Sequence, residues 1–223
     1  MGKIARLDKP SWELCELKEQ LHPSHAVLLV TDMQNDFVSP EGKMASFGFE
    51  NSMVQAIVPA LKEFLAEARK LGIFIVHARV INDAAQNAPS WYAYWGEPVV
   101  TLEGSWGAEF YPGLEPVEGE PVVTKYAYGS FEGTNLDRIL RRRDIRTLVV
   151  TGAGSLICSG DTIHRGFALG YHIVVPEDCL ADFSTEGPEW SHTINKVGMY
   201  IIAHHYGKVV SSAEIVKAWR DWD

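Results

Sequence analysis

Arg146-Thr-Leu-Val-Val-Thr-Gly-Ala-Gly-Ser-Leu-Ile-Cys158 is the stretch on which the reading of the fold turns. Leu148 to Thr151 is an apolar, β-branched run of the kind that forms a buried strand. Gly152 and Gly154 interrupt it before a new helical pattern opens at Cys158. Strand, sharp turn and helix start therefore follow one another directly. The first N–H groups of a helix lack intrahelical partners and carry partial positive charge, so a thiol there is expected to ionise readily and to serve as a nucleophile. The competing reading is a small core residue, because free cysteine is among the most buried residue types.

The same strand-then-helix rhythm extends in both directions. Ala26 to Thr31 is continuous in apolar residues, as expected when helices cover both faces of a sheet, and it delivers Asp32 at its carboxyl end. Helical spacing from Asn51 to Leu71 ends at Gly72, and Pro59 within it is expected to start or kink the helix. Ile73 to Ala78 is the next strand, and Pro121 to Thr124 is a short one ending at Lys125. A brief helix capped by Thr134 precedes the central strand. Beyond it come a helix over 162–169, a strand over 171–175, a helix over 189–204, a strand over 208–210 and a closing helix from Ser212. Six strands alternating with helices predict an α/β fold: a doubly wound, mainly parallel sheet with helices on both faces.

Two segments stand outside this rhythm. Residues 1–24 read as an arm packed on a surface or on a neighbouring subunit, leaving 25–223 as one domain. Between Arg79 and Pro116 the periodicity dissolves into prolines (Pro89, Pro98 and Pro112 among them), glycines and aromatics, including Trp91, Tyr92, Tyr94, Trp95, Trp106, Phe110 and Tyr111. A long irregular stretch this rich in rings is expected to be an ordered, functional lid over 80–116 that lines a pocket. A subunit contact is the alternative.

Bulk properties narrow the function. The chain has 223 residues and a formal net charge of −9, which argues against nucleic acid or an anionic membrane as a partner and for a small-molecule substrate. No window approaches the roughly 20 apolar residues of a membrane span, and no signal-peptide pattern opens the chain. Cys15, Cys158 and Cys179 are too sparse for a disulfide framework, so a reducing, cytoplasmic setting is expected.

Asp32, Lys125 and Cys158 each follow a strand, so adjacent strands would bring them together at one sheet edge. A carboxylate beside a thiol can take its proton, and an ammonium group nearby stabilises the resulting charge. A helix cap for Asp32 and a solvated role for Lys125 are the plainer readings. A different reading takes Gly152 and Gly154 as a dinucleotide-binding turn with Glu177 or Asp178 as the ribose acid, but Ile157 occupies the third glycine position.

Val30-Thr-Asp-Met-Gln-Asn-Asp-Phe37, Lys125 with Gly129-Ser-Phe131, and Gly152-Ala-Gly-Ser-Leu-Ile-Cys158 with Thr162, Gly170-Tyr171 and Glu177-Asp178 occur in one order over roughly residues 24 to 210. In this the chain resembles the isochorismatase-like cysteine hydrolases, which include nicotinamidases, carbamoylsarcosine amidase, biuret hydrolase and ureidoacrylate amidohydrolase. The resemblance implies Asp32, Lys125 and Cys158 as a catalytic triad and the N–H groups of Gly154 and Cys158 as the oxyanion hole. It also implies a cis peptide between Ala153 and Gly154, and a homodimer or homotetramer. The nicotinamidase metal pattern is missing, since His77-Ala-Arg-Val-Ile-Asn-Asp83 has no second histidine, so no cofactor or metal is expected. Gly160 is expected to widen the pocket.

The implied activity is hydrolysis of a C–N bond in a small amide, ureido or carbamoyl compound through a thioester. Vinyl-ether hydrolysis and an idle scaffold are the alternatives, and an activated Cys158 is expected to alkylate faster near neutral pH than Cys15 or Cys179. Gln34, Phe37, Trp91, Tyr92, Trp95, Phe131 and Ser155 are the expected pocket lining, and Trp219 and Trp222 are candidate subunit contacts. The Lys125 to Phe131 spacing and the Gly104-Ser-Trp106 segment resemble the metal-free branch of the family, which acts on ureido or carbamoyl compounds, whereas the aromatic lid points to an apolar or aromatic amide.

Overall fold

The computed structural model describes residues 7–96 and 100–222, so Pro98 of the aromatic stretch and the first six residues of the arm lie outside the described residues. Seven strands form one sheet: β1 (Ala26–Thr31), β2 (Phe74–Val80), β3 (Val122–Lys125), β4 (Thr147–Ala153), β5 (His172–Pro176), β6 (Leu180–Ala181) and β7 (Gly207–Val210). Their order is β3-β2-β1-β4-β5-β7, with β6 paired beside the end of β4, and every pairing is parallel. The sequence anticipates all but β6, whose two residues are too few to carry a period. From β1 the chain winds outward through β2 and β3, then returns to β4 and winds the other way. The β1–β4 boundary is therefore the switch point, where a crevice opens beyond the carboxyl ends.

Alternation along β1 builds a core on each face. Leu28 and Val30 pack with the helix Ser52–Lys70 and the closing helix Ser212–Arg220. Val27 and Leu29 face the opposite layer, which holds Leu136, Leu140 and Ile163. Pro59 does not start the helix Ser52–Lys70; it sits inside it on the exposed side, where solvent can serve the carbonyl that loses its partner. Thr134 Oγ1 accepts from the Leu136 N–H at 3.2 Å and steadies the start of the helix Leu136–Arg142. No helix among the described residues is long and apolar enough to cross a membrane.

The aromatic stretch is more regular than its composition suggests. Pro89 opens a helix, Pro89–Trp95, and Trp106–Ala108 form a 3₁₀ turn. The arm folds back on its own chain, with Leu14 and Leu21 fully buried and the Trp222 indole N–H donating to the Lys18 carbonyl at 3.1 Å. Trp219 is no surface contact: it is 1% exposed and stacks on Phe64 with ring centroids 5.2 Å apart. Its place on the inward face of the closing helix, beside Ile215 and Ala218, explains the burial.

Candidate active site

Each member of the expected triad sits where its strand releases it. Thr31 ends β1, and Asp32 adopts a left-handed φ of 55°, which a short polar side chain tolerates better than most. Its N–H donates to the Ala78 carbonyl at 2.9 Å, so the turn is anchored to β2. Lys125 closes β3 and is completely buried, with Nζ 2.7 Å from Asp32 Oδ2. The ammonium also donates to the carbonyls of Ala127, at 3.4 Å, and Tyr128, so its three protons are all committed. Asp32 Oδ1 has no hydrogen-bond partner among the described residues.

Cys158 begins the helix Cys158–Ala168, which Thr162 braces by donating to the Cys158 carbonyl at 2.8 Å. Ser159 locks the same turn to the sheet through Thr31 Oγ1, at 2.7 Å, and the Ala153 carbonyl, at 3.0 Å. The thiol is half-buried, and burial together with the Asp32 carboxylate holds its pKa above the ordinary range, against the opposing pull of Lys125. The shift runs opposite to the easy ionisation expected from the helix terminus alone. For Lys125, burial disfavours the charge, but Asp32 and the other acidic groups around it outweigh that and raise its pKa.

The turn before the nucleophile departs from the expected geometry. All described peptide bonds are trans, including Ala153–Gly154, and the bend is made by positive φ values of 116° at Gly152 and 80° at Gly154. A side chain at Gly152 would collide with the Thr31 carbonyl of the neighbouring strand. The glycines thus serve strand contact and turning, and Asp178 caps the closing helix by accepting from the Ser212 N–H at 2.8 Å; neither resembles a dinucleotide site. The Gly154 N–H donates to the Ala181 carbonyl of β6 at 2.9 Å and is therefore committed to the sheet and not free as the expected oxyanion donor. The Cys158 N–H meets no acceptor among the described residues.

Above Cys158 opens a cavity of about 610 Å³. Of the expected lining residues, Phe37, Trp91 and Trp95 border it. Gln34 does not: its amide bridges both backbone groups of Val80 and the Ala108 carbonyl, fixing the lid to β2. Ser155 is also structural, donating its N–H to both oxygens of Asp182, at 3.0 and 3.1 Å, and its hydroxyl to the same group. Phe131 lies on the other face of the sheet against Tyr171, and Tyr92 does not border the cavity. Gly160 packs on the Ser155 carbonyl and leaves the pocket width unchanged. His77 Nε2 donates to the Glu120 carboxylate at 2.8 Å, and the ring is a strand residue held in the core.

Among the lining residues that sequence reasoning missed are Phe49, Tyr128 and Phe183. Tyr128 could have been found, since it lies three residues beyond Lys125. Phe49 and Phe183 lie in loops distant along the chain and carried no signal.

A family model described as isochorismatase domain matches residues 26–214. The chain is 29% identical over 212 residues to the ureidoacrylate amidohydrolase RutB of Enterobacter sp. (strain 638), covering 88% of this chain and 90% of that one. Among solved structures, N-carbamoylsarcosine amidase from Thermoplasma acidophilum superimposes with a TM-score of 0.66 at 27% identity, over 84% of this chain and 96% of that one. A cysteine hydrolase from Pseudomonas syringae pv. phaseolicola 1448A shares the fold with a TM-score of 0.80 at 22% identity, over 97% of this chain and 100% of the other.

Proposed function

The chain belongs to the isochorismatase family, and from that premise we propose that it is a cysteine-dependent amidohydrolase cleaving a C–N bond of a small amide, ureido or carbamoyl compound. One observation carries the reading: a buried Asp32–Lys125 pair lies directly behind Cys158, the one member of the three that borders the cavity. The names of the amidohydrolase relatives support it.

The roles follow from which atoms are free. Asp32 Oδ2 is held by Lys125, so the unpartnered Oδ1 takes the Sγ proton. The sulfur attacks the carbonyl carbon, a C–S bond forms, and the Cys158 N–H supports the oxyanion. Collapse breaks the C–N bond, and the departing nitrogen takes the proton from Asp32. Asp32 then removes a proton from water, whose oxygen attacks the thioester; the acid leaves and the thiol regains its proton. Lys125 stays protonated throughout and offsets the negative charge of Asp32 whenever that carboxyl has given its proton away.

Cys158→Ser is expected to lose nearly all hydrolysis while keeping its circular dichroism spectrum and melting temperature. Intact-mass spectrometry of the quenched wild-type reaction should show an acyl adduct on Cys158. Turnover retained in the variant would remove the nucleophile assignment.

A further inference from the structure

Six rings that border the space above Cys158 are joined in one chain of contacts. Phe37 stacks with Phe183 at 6.3 Å between centroids, Phe183 meets Phe49 edge-on at 5.6 Å, and Phe49 lies 6.5 Å from Trp95. Trp95 donates its indole N–H to the Tyr128 hydroxyl at 2.8 Å, and Tyr128 tilts against Trp91 at 4.8 Å. All six border the cavity. Such faces and edges receive a flat ring in offset or T-shaped contact.

The cavity is as short of cations as it is rich in rings. Among the described residues that line it there is no Lys, Arg or His. Lys125 lies behind the sulfur with its protons committed to Asp32, Ala127 and Tyr128. Asn82 is occupied as well, donating to the Val100 carbonyl at 2.9 Å and accepting from Asn87 at 3.2 Å. At the thiol the positive charge of Lys125 is opposed by Asp32 and Asp161. A carboxylate brought here would lose its hydration and find no cation in the lining to offset that loss, which is strongly unfavourable.

We propose that the substrate presents an uncharged aromatic group to this belt, and that carboxylate-bearing ureido acids are poor substrates of the site. This rests on the amidohydrolase reading above and narrows its substrate class. A volume of about 610 Å³ is in the range of sites for ligands with one or two rings, larger than a short ureido acid requires.

The test compares phenylacetamide and benzamide with N-carbamoylglycine and 3-ureidopropionate, following ammonia release. The aryl amides are expected to exceed the ureido acids at least about 100-fold in kcat/KM. Trp91→Ala should raise KM for phenylacetamide about tenfold more than it raises KM for acetamide. Thr185→Arg, at the exposed rim, should shift relative turnover toward N-carbamoylglycine about tenfold. Ureido acids turned over as well as aryl amides would overturn the proposal and leave the hydrolase reading intact. So would preference for a trimethylammonium-bearing amide. Binding to Cys158→Ser, read by quenching of tryptophan fluorescence, separates the two readings. Phenylacetamide that binds without being hydrolysed by the wild type supports the aromatic site and removes the hydrolase. Phenylacetamide that neither binds nor reacts overturns the aromatic site itself.

Discussion

A single ion pair explains most of what the site can do. Lys125 and Asp32 are both sealed from solvent, and removing one charge strands the other in a low-dielectric setting, typically at a cost of about 3–5 kcal/mol. Lys125→Met should therefore lower the melting temperature strongly and abolish turnover. Adding Asp32→Asn should restore much of the stability and none of the activity, and thermal melts with single-turnover assays would separate the two effects. The same pair governs the thiol. With burial and the Asp32 carboxylate holding its pKa high, Cys158 should alkylate with iodoacetamide more slowly near neutral pH than a free thiol, and its rate should keep rising in alkali where an ordinary thiol levels off. A pH–rate profile by peptide mass mapping checks this. It replaces the expectation, drawn from the helix terminus alone, of rapid labelling at neutral pH. Asp32, Lys125 and Cys158 were legible as candidates because each follows an apolar strand. The state of the sulfur was not, because it depends on charges brought from β1 and β3.

At the level of elements, the turn between β4 and the nucleophile helix is held by close backbone approach. Gly152→Ala places a methyl group against the Thr31 carbonyl at a φ of 116°, so a loss of at least about 3 kcal/mol is expected in urea unfolding. Gly170→Ala, with a φ of 91° and open space around it, should cost only about 1–2 kcal/mol, the backbone penalty alone. The contrast isolates steric exclusion from conformational preference. Strands and long helices were readable here because burial imposes period on at least four residues at a time. The helix Pro89–Trp95 escaped that reading: none of its side chains is fully buried, so its sequence carries no inward-facing stripe.

For the molecule as a whole, buried histidines set the acid limit. His25 is enclosed by the arm, with Nε2 2.9 Å from the Glu19 carbonyl, and burial lowers its pKa to about 4. Burial lowers His22 and His77 as well. The unfolded chain binds these protons near pH 6.5 and the folded chain does not, so stability is complete above that pH and falls as pH drops toward 4. For His25 the loss is up to about 3 kcal/mol, and His25→Gln should flatten the slope of urea midpoint against pH in that window. The alternation of β-branched runs with helical spacing, the chain direction that puts Asp32, Lys125 and Cys158 at carboxyl ends, and the motif order were determined by the sequence by itself, because local period and polarity record which side of each element is buried. Only the tertiary structure decided which N–H groups remain free, which rings reach the cavity and whether the thiol carries charge. Those depend on distances between residues far apart along the chain, such as Phe49 and Phe183 or Gly154 and Ala181, for which no local pattern exists.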